Sequence, residues 1–184
     1  LKTAIVGIDG PDPLRICNEL RQREGLNVIP IATGRRLLDG VAANGGLLED
    51  HGQAICDLEV ARALTGRHNW QNAAAAYAAT RAMGIDPEVI ARALLSFPGL
   101  AHRMEHIAAI DGVQFINDSK ATNGEAAARA LACFNSIYWI AGGRNKSNGL
   151  RALHSNFRRV AHAFLIGEAE QTFADELDGR VNYS

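Results

Sequence analysis

Cysteine is scarce in this 184-residue sequence. Cys17, Cys56 and Cys133 are an odd number, lie far apart and form no C-x-x-C pair. That excludes a disulfide-stapled scaffold and points to reduced thiols in the cytoplasm. With only five prolines and 18 glycines, collagen-like and low-complexity classes are out. Aromatics make up 6%, low for an all-β sandwich. No window approaches ~18 consecutive apolar residues, so no membrane span is expected. Leu1-Lys2-Thr3 does not begin a basic segment followed by an apolar run, so no signal peptide is expected either. Neither sign of charge dominates: Lys plus Arg number 19 and Asp plus Glu 20, a net charge of −1. A general nucleic-acid binder would need a basic face that these totals do not supply. The first residue is not Met, which suggests a piece of something longer.

What is present is a hydrophobic content of 47%, enough to build a core in one large domain or two small ones. The run from Thr3 to Ile8 reads as a buried strand closed by Asp9-Gly10-Pro11. Apolar positions 14, 16, 17 and 20 predict a helix from Pro13 to Arg23, and Val28 to Ala32 a second strand. This β-α-β order favours a parallel sheet. Asn44-Gly45 between apolar flanks predicts a hairpin. An Ala-rich helix is expected from Asn69 to Met83, closed by Gly84. Asp86-Pro87 then starts another that stops near Ser96. Phe97-Pro98-Gly99 breaks the pattern, which places a domain boundary between 98 and 99. Beyond it come strands at 113–116, 137–141 and 163–166, helices at 123–132, 149–161 and 168–177, and a further strand opening at 180–183. Such an order implies a doubly wound α/β sheet, whose ligands gather outside the carboxyl ends of the strands.

Four polar clusters sit at strand ends or helix starts. In His68-Asn69-Trp70-Gln71-Asn72 the asparagines are either helix caps or two amides facing one ligand, an arrangement that suits an adenine edge. Asn117-Asp118-Ser119-Lys120-Ala121-Thr122-Asn123 joins a strand to a helix start. It is either a capped turn or a place for anions and ribose hydroxyls, with Lys120 as a point charge. Gly142-Gly143-Arg144-Asn145-Lys146-Ser147 follows a strand without matching G-x-x-x-x-G-K-[ST]. It is either a solvated loop or a basic turn. His102 and His106 have the i, i+4 spacing of metal ligands on a helix, but no further ligand completes a site and no metal is expected. His102-Arg103 reads better as a contact to a charged ligand. Neither G-x-S-x-G nor G-x-G-x-x-G occurs, which argues against an esterase-type nucleophile and a dinucleotide fingerprint.

Taken in order, His68-Asn69-x-x-Asn72, Gly99-Leu100-Ala101-His102-Arg103, the Asn117–Asn123 run and Gly142-Gly143 with Lys146 resemble the Mur ligase family. The resemblance covers nearly the whole chain, most clearly 66–184. It implies an α/β chain in which 1–98 is the later part of a P-loop-type ATPase central domain. Residues 99–184 would be the first part of a Rossmann-like, doubly wound C-terminal domain, both incomplete. It implies an ATP-dependent acid–amino-acid ligase of peptidoglycan precursor synthesis. By that resemblance, UDP-N-acetylmuramoyl-L-alanine would be activated as an acyl phosphate, and the amine of D-glutamate would displace the phosphate. Asn69 and Asn72 match positions on the adenine side. His102 and Arg103 match groups that reach the nucleotide, Arg103 toward ribose and phosphate, and Asp118 matches a ribose ligand. Lys120, also the catalytic candidate, and Thr122 match positions beside the acyl chain and the incoming glutamate, and Lys146 one that pairs with a D-glutamate carboxylate. The family's phosphate loop, Mg2+ ligands and UDP-binding domain have no counterpart among these 184 residues, so this chain alone is expected to be inactive. The resemblance also implies closure of the second half onto the first, with Phe97-Pro98-Gly99 as hinge. Expected partners are the three substrates and other domains of the same protein, with no nucleic acid and no membrane. Alternatives are a sister Mur ligase, a folylpolyglutamate synthase relative, or a non-catalytic nucleotide-binding module.

Overall fold

Val41, Ala42 and Ala43 are all buried, which a strand achieves only when both faces of its sheet are covered. They lie at the centre of a five-stranded sheet in a computed structural model that describes residues 2–144 and 149–184. The chain divides into two compact units, Leu1–Gly99 and Leu100–Ser184.

In the first unit, β1 (Lys2–Gly7), α1 (Pro11–Arg21), β2 (Leu26–Ala32), β3 (Val41–Asn44), β4 (Leu47–Asp50) and β5 (Gln53–Asp57) are followed by α2 (Arg67–Ala82) and α3 (Pro87–Leu95). The strands lie in the order β1-β2-β3-β4-β5. The first three are parallel and the last two antiparallel additions. Side chains alternate across the sheet: Ile31, Val41, Ala43 and Leu48 face Ala73, Ala74, Tyr77 and Ala78 of α2. Ala32 and Ala42 face the opposite layer with Cys17 of α1, Ile8 and Leu37. The predicted hairpin is present, but its turn is Gly45-Gly46, because Asn44 still pairs with Leu47. Both glycines have positive φ, 59° and 85°, as a two-residue hairpin loop requires. α3 starts as expected, with the Asp86 carboxylate accepting from the Glu88 N–H at 2.8 Å.

The second unit contains β6 (Glu105–Ile110), β7 (Val113–Asn117), α4 (Gly124–Leu131), β8 (Ile137–Gly142), β9 (Val160–Ile166) and α5 (Glu170–Leu177). β8 and β9 are parallel, and Tyr183 bridges to Ala163, opening a further strand beside β9. Leu131, Leu153, Phe157, Ala163, Leu165 and Leu177 form the core on one face of this pair. Two expectations are corrected here. β7 does not join that sheet but pairs antiparallel with β6 through Asp111-Gly112, whose φ values of 49° and 80° suit a tight hairpin. The segment expected as an α-helix over 149–161 is a 3-10 stretch, Arg151–Arg159. Leu150, Leu153 and Asn156 recur every three residues, the period of that helix. The first two are buried, and the Asn156 amide donates to the Ala128 carbonyl at 3.2 Å.

Candidate functional site

The start of α2 is built on the carboxyl ends of β1 and β2. Asp9 follows β1 and Thr33 follows β2, where open α/β sheets gather ligands. The Thr33 N–H donates to both Asp9 oxygens at 3.1 and 3.0 Å, and its hydroxyl donates to Asp9 Oδ2 at 2.6 Å. Arg67 donates from Nε to Thr33 Oγ1 at 2.8 Å, with its Nη2 3.7 Å from Asp9 Oδ1. Gln71 adds a longer contact to Asp9 at 3.4 Å. The first turns of α2 are therefore tied to both strands by polar groups. Gly34 makes room for the Arg67 guanidinium, since a Cβ there would lie 2.7 Å from Nη2. Asp9, Thr33 and Arg67 escaped sequence reasoning, and Gln71 lay in the 68–72 run without a role of its own; the place of Asp9 and Thr33 just past two predicted strands was the available signal.

Asn69 and Asn72 lie one turn apart on α2, the first half-buried and the second exposed. Asn69 is not the cap. The helix starts at Arg67 after Gly66, whose φ of 96° only glycine adopts readily, and the Asn69 amide donates back to the Thr65 carbonyl at 3.0 Å. Further along, the Tyr77 hydroxyl donates to Asp50 Oδ2 at 3.0 Å. Burial first, then this bond to Asp50, holds its acidity far weaker than that of an ordinary tyrosine.

In the second unit the structure brings together His102, Asp118 and Lys120. The Lys120 N–H donates to the His102 carbonyl at 3.1 Å, and Asp118 Oδ1 accepts from the Met104 N–H at 3.0 Å. Glu105 Oε2 accepts from the His102 N–H at 2.8 Å and from the Asn117 amide at 3.3 Å. Arg103 is exposed between these anchored residues. His102 and Met104, on either side of it, have φ values of 65° and 47°. His102 and His106 do not share a helix: His106 belongs to β6, opposite Ile116, and His102 precedes the strand. Glu105 is a further residue to which the sequence reading gave no role, and Asn117 opens the 117–123 run that it singled out without a role of its own. The side chains of Lys120 and Thr122 are exposed, and Asn123 caps α4 by accepting from the Ala126 N–H at 2.8 Å. Asp118 is therefore not the cap of that helix. Cys133 follows α4, and its thiol is pushed up by burial and then by Asp118, against a smaller lowering by Arg159.

The Gly142-Gly143 turn is locked to the end of β9. A Cβ on Gly142 would collide with the Ile166 carbonyl oxygen, and the Gly143 N–H donates to that oxygen at 3.2 Å. Arg144 pairs with Glu168 at 3.2 Å. Lys146 lies outside the described residues. Among the described residues no group of three His, Cys, Asp or Glu is arranged to hold a metal ion.

Over 181 residues the chain is 48% identical to the UDP-N-acetylmuramoylalanine--D-glutamate ligase of Paramagnetospirillum magneticum, across 98% of this chain and 39% of that protein. The ligase of the same description from Phenylobacterium zucineum is 47% identical over 183 residues, 97% of this chain and 39% of the relative. The chain thus spans about two fifths of the length of these curated relatives. A crystal structure of MurF from Acinetobacter baumannii superposes with a TM-score of 0.65 at 21% identity, covering 98% of this chain and 42% of that one. A UDP-N-acetylmuramoyl-L-alanyl-D-glutamate--2,6-diaminopimelate ligase gives 0.60 at 19% identity, covering 100% and 43%. These two likenesses establish a shared α/β fold. No family model matches the chain.

Proposed function

The chain belongs to the Mur ligase family, and on that premise we propose that it is the part of a D-glutamate-adding ligase that carries nucleotide-side and amino-acid-side residues of an ATP-dependent amide synthesis. The observation that carries this reading is the 48% identity to a D-glutamate ligase over 98% of the chain. In the full-length protein the carboxylate of UDP-N-acetylmuramoyl-L-alanine takes the γ-phosphoryl group of ATP. The amine of D-glutamate then attacks the acyl carbon, and phosphate leaves as the amide forms.

In this reading, residues 1–98 are the later part of the ATP-binding domain and 99–184 the first part of the domain that receives D-glutamate. Asn69 and Asn72 present amide donors and acceptors one helical turn apart to the adenine edge. Asp118 accepts from ribose hydroxyls, while its Oδ1 also holds the Met104 N–H. His102 and Arg103 face the ribose and phosphates, where a guanidinium forms paired charge-assisted bonds. Lys120, the catalytic candidate, stabilises charge developing on the acyl group beside Thr122. Lys146 pairs with a carboxylate of D-glutamate. Mg2+ supplies charge neutralisation on the phosphates when bound; the described residues form no cage for it, and its ligands are assigned elsewhere in the protein. Reaction with ATP as substrate places the protein in the cytoplasm.

The test is amino-acid choice by the full-length protein, read as phosphate release with ATP and UDP-N-acetylmuramoyl-L-alanine. D-glutamate is expected to support turnover, and L-glutamate, lysine and diaminopimelate are not. Turnover with diaminopimelate in place of D-glutamate would move the chain to a sister ligase. Lys146→Ala is expected to raise the KM for D-glutamate more than that for ATP, by the on the order of 1.5–3 kcal/mol that a hydrogen bond to a charged group contributes. An unchanged glutamate KM would remove Lys146 from the site.

A further inference from the structure

Arg103 stands between two residues with left-handed backbones, His102 at φ 65° and Met104 at φ 47°. Neither is glycine, and such residues persist in this region only when their surroundings over-determine them. The determinants are two carboxylates. Glu105 Oε2 takes the His102 N–H at 2.8 Å, and Asp118 Oδ1 takes the Met104 N–H at 3.0 Å. The Lys120 N–H holds the carbonyl of His102 at 3.1 Å, and the Met104 side chain is buried while Arg103 is exposed.

Asn117 supports Glu105. Its Oδ1 accepts from the Ser119 N–H at 3.1 Å, which fixes the amide orientation and turns Nδ2 toward Glu105 Oε2 at 3.3 Å and His102 Nδ1 at 2.9 Å. Nδ1 must then be the acceptor, so the imidazole carries its proton on Nε2, facing away from Asn117.

We infer that Glu105 is a positioning residue: with Asp118 it clamps the backbone N–H groups on either side of Arg103 and so fixes the segment from which the guanidinium projects. That this serves ATP rests on the reading of Arg103 given above; the clamp itself rests on the bonds just described. Arg103 alone would have to find its ligand from a mobile turn. Held on both sides, it loses less freedom when nucleotide arrives, and the gain belongs to binding rather than to the chemical step.

The experiment uses full-length protein carrying Glu105→Ala, Glu105→Gln, Arg103→Ala and the double Glu105→Ala/Arg103→Ala. It reads KM for ATP, kcat and hydrogen exchange at the His102 and Met104 amides. Glu105→Ala is expected to raise the ATP KM about tenfold, or about 1.4 kcal/mol, with a smaller change in kcat and faster exchange at His102. Glu105→Gln retains an oxygen for the His102 N–H and is expected to stay within about threefold of the parent, since a neutral acceptor keeps the bond. In the Arg103→Ala background, Glu105→Ala is expected to add nothing further. Additive effects, a Gln variant as impaired as the Ala variant, or unchanged exchange in Glu105→Ala would each overturn the clamp. Should Arg103→Ala leave the ATP KM unaltered, the ATP reading of Arg103 fails. Exchange then decides the clamp alone: faster at His102 in the Ala variant and not in the Gln variant upholds it. If Glu105→Ala does not fold, Glu105→Asp, whose carboxylate is withdrawn by one methylene, is read in the same way.

Discussion

Asp118 shows how far a residue's neighbours decide its role. Sequence position alone left two readings, a cap on the following helix or a ligand for ribose. The structure gives the cap to Asn123 and gives Asp118 a backbone N–H of its own, that of Met104. Asp118→Asn keeps an oxygen for that bond but loses the charge. In the full-length protein its melting temperature is expected to stay nearly unchanged while the ATP KM rises several-fold, about 1 kcal/mol, because the asparagine oxygen keeps part of a charge-assisted contact that is worth more in full. A variant that melts much earlier with an unaltered ATP KM would make Asp118 structural only. At this scale the polar runs at 68–72 and 117–123 were legible because they break apolar periodicity. Asp9 and Thr33 were not. Each is a lone polar residue after a strand, and only the parallel pairing of β1 and β2 brings them 24 positions apart into one hydrogen-bonded pair.

Among the elements, those with a strong period and a clear terminator were legible. Asp86-Pro87 opens α3, Asn123 opens α4, and β1, β2, β8 and β9 are apolar runs closed by turn residues. β6 was missed because Glu105-His106-Ile107-Ala108-Ala109-Ile110 is neither a continuous apolar run nor a strict alternation, and two histidines at i, i+4 suggest a helix instead. Its register shifts between His106 and Ala108, which breaks the two-residue period that would have revealed it. Asn123→Ala removes the bond to the Ala126 N–H and is expected to destabilise the second unit by about 1 kcal/mol, read as a lower denaturant midpoint. Asn123→Asp is expected to restore it, because aspartate caps equally well. α2 also carries a link to the β4–β5 hairpin, the bond from Tyr77 to Asp50. Tyr77 has a raised pKa in the fold, so the neutral phenol is the form that folding favours. The stability it contributes is complete below the unfolded value of about 10 and is lost as pH rises from there toward the folded value. Urea midpoints measured between pH 8 and pH 11 are expected to fall over the upper part of that range, and Tyr77→Phe to flatten the fall.

For the whole molecule, the alternation of strand and helix made the α/β class legible, and the break at 97–99 falls where the two compact units meet in sequence. The pairing of strands was legible only in part, in the parallel β1–β2 pair and the β3–β4 hairpin. β4 and β5 are antiparallel extensions of a parallel sheet, and β6–β7 stand as a separate hairpin, outcomes fixed by tertiary contacts rather than local period. The same scale governs what 184 residues can do by themselves. ATP turnover requires the γ-phosphate charge to be met at the moment of transfer, and P-loop enzymes meet it with a glycine-rich loop ending in Gly-Lys-Ser/Thr. The nearest approach in this chain, Gly143-Arg144-Asn145-Lys146-Ser147, separates the glycine from the lysine by two residues. Of the residues the chain does hold, Asn69, Asn72 and Asp118 are proposed for the adenine and ribose, groups that are chemically unchanged in the reaction. Contacts of that kind bind substrate and transition state alike and do not lower the barrier. The isolated 184-residue chain is therefore expected to release no phosphate from ATP above the level of its own Lys120→Ala variant, with or without D-glutamate. Phosphate release above that control would mean that these residues assemble a phosphate site of their own, and would return Lys146 and its glycine-rich turn to the γ-phosphate rather than to the amino acid.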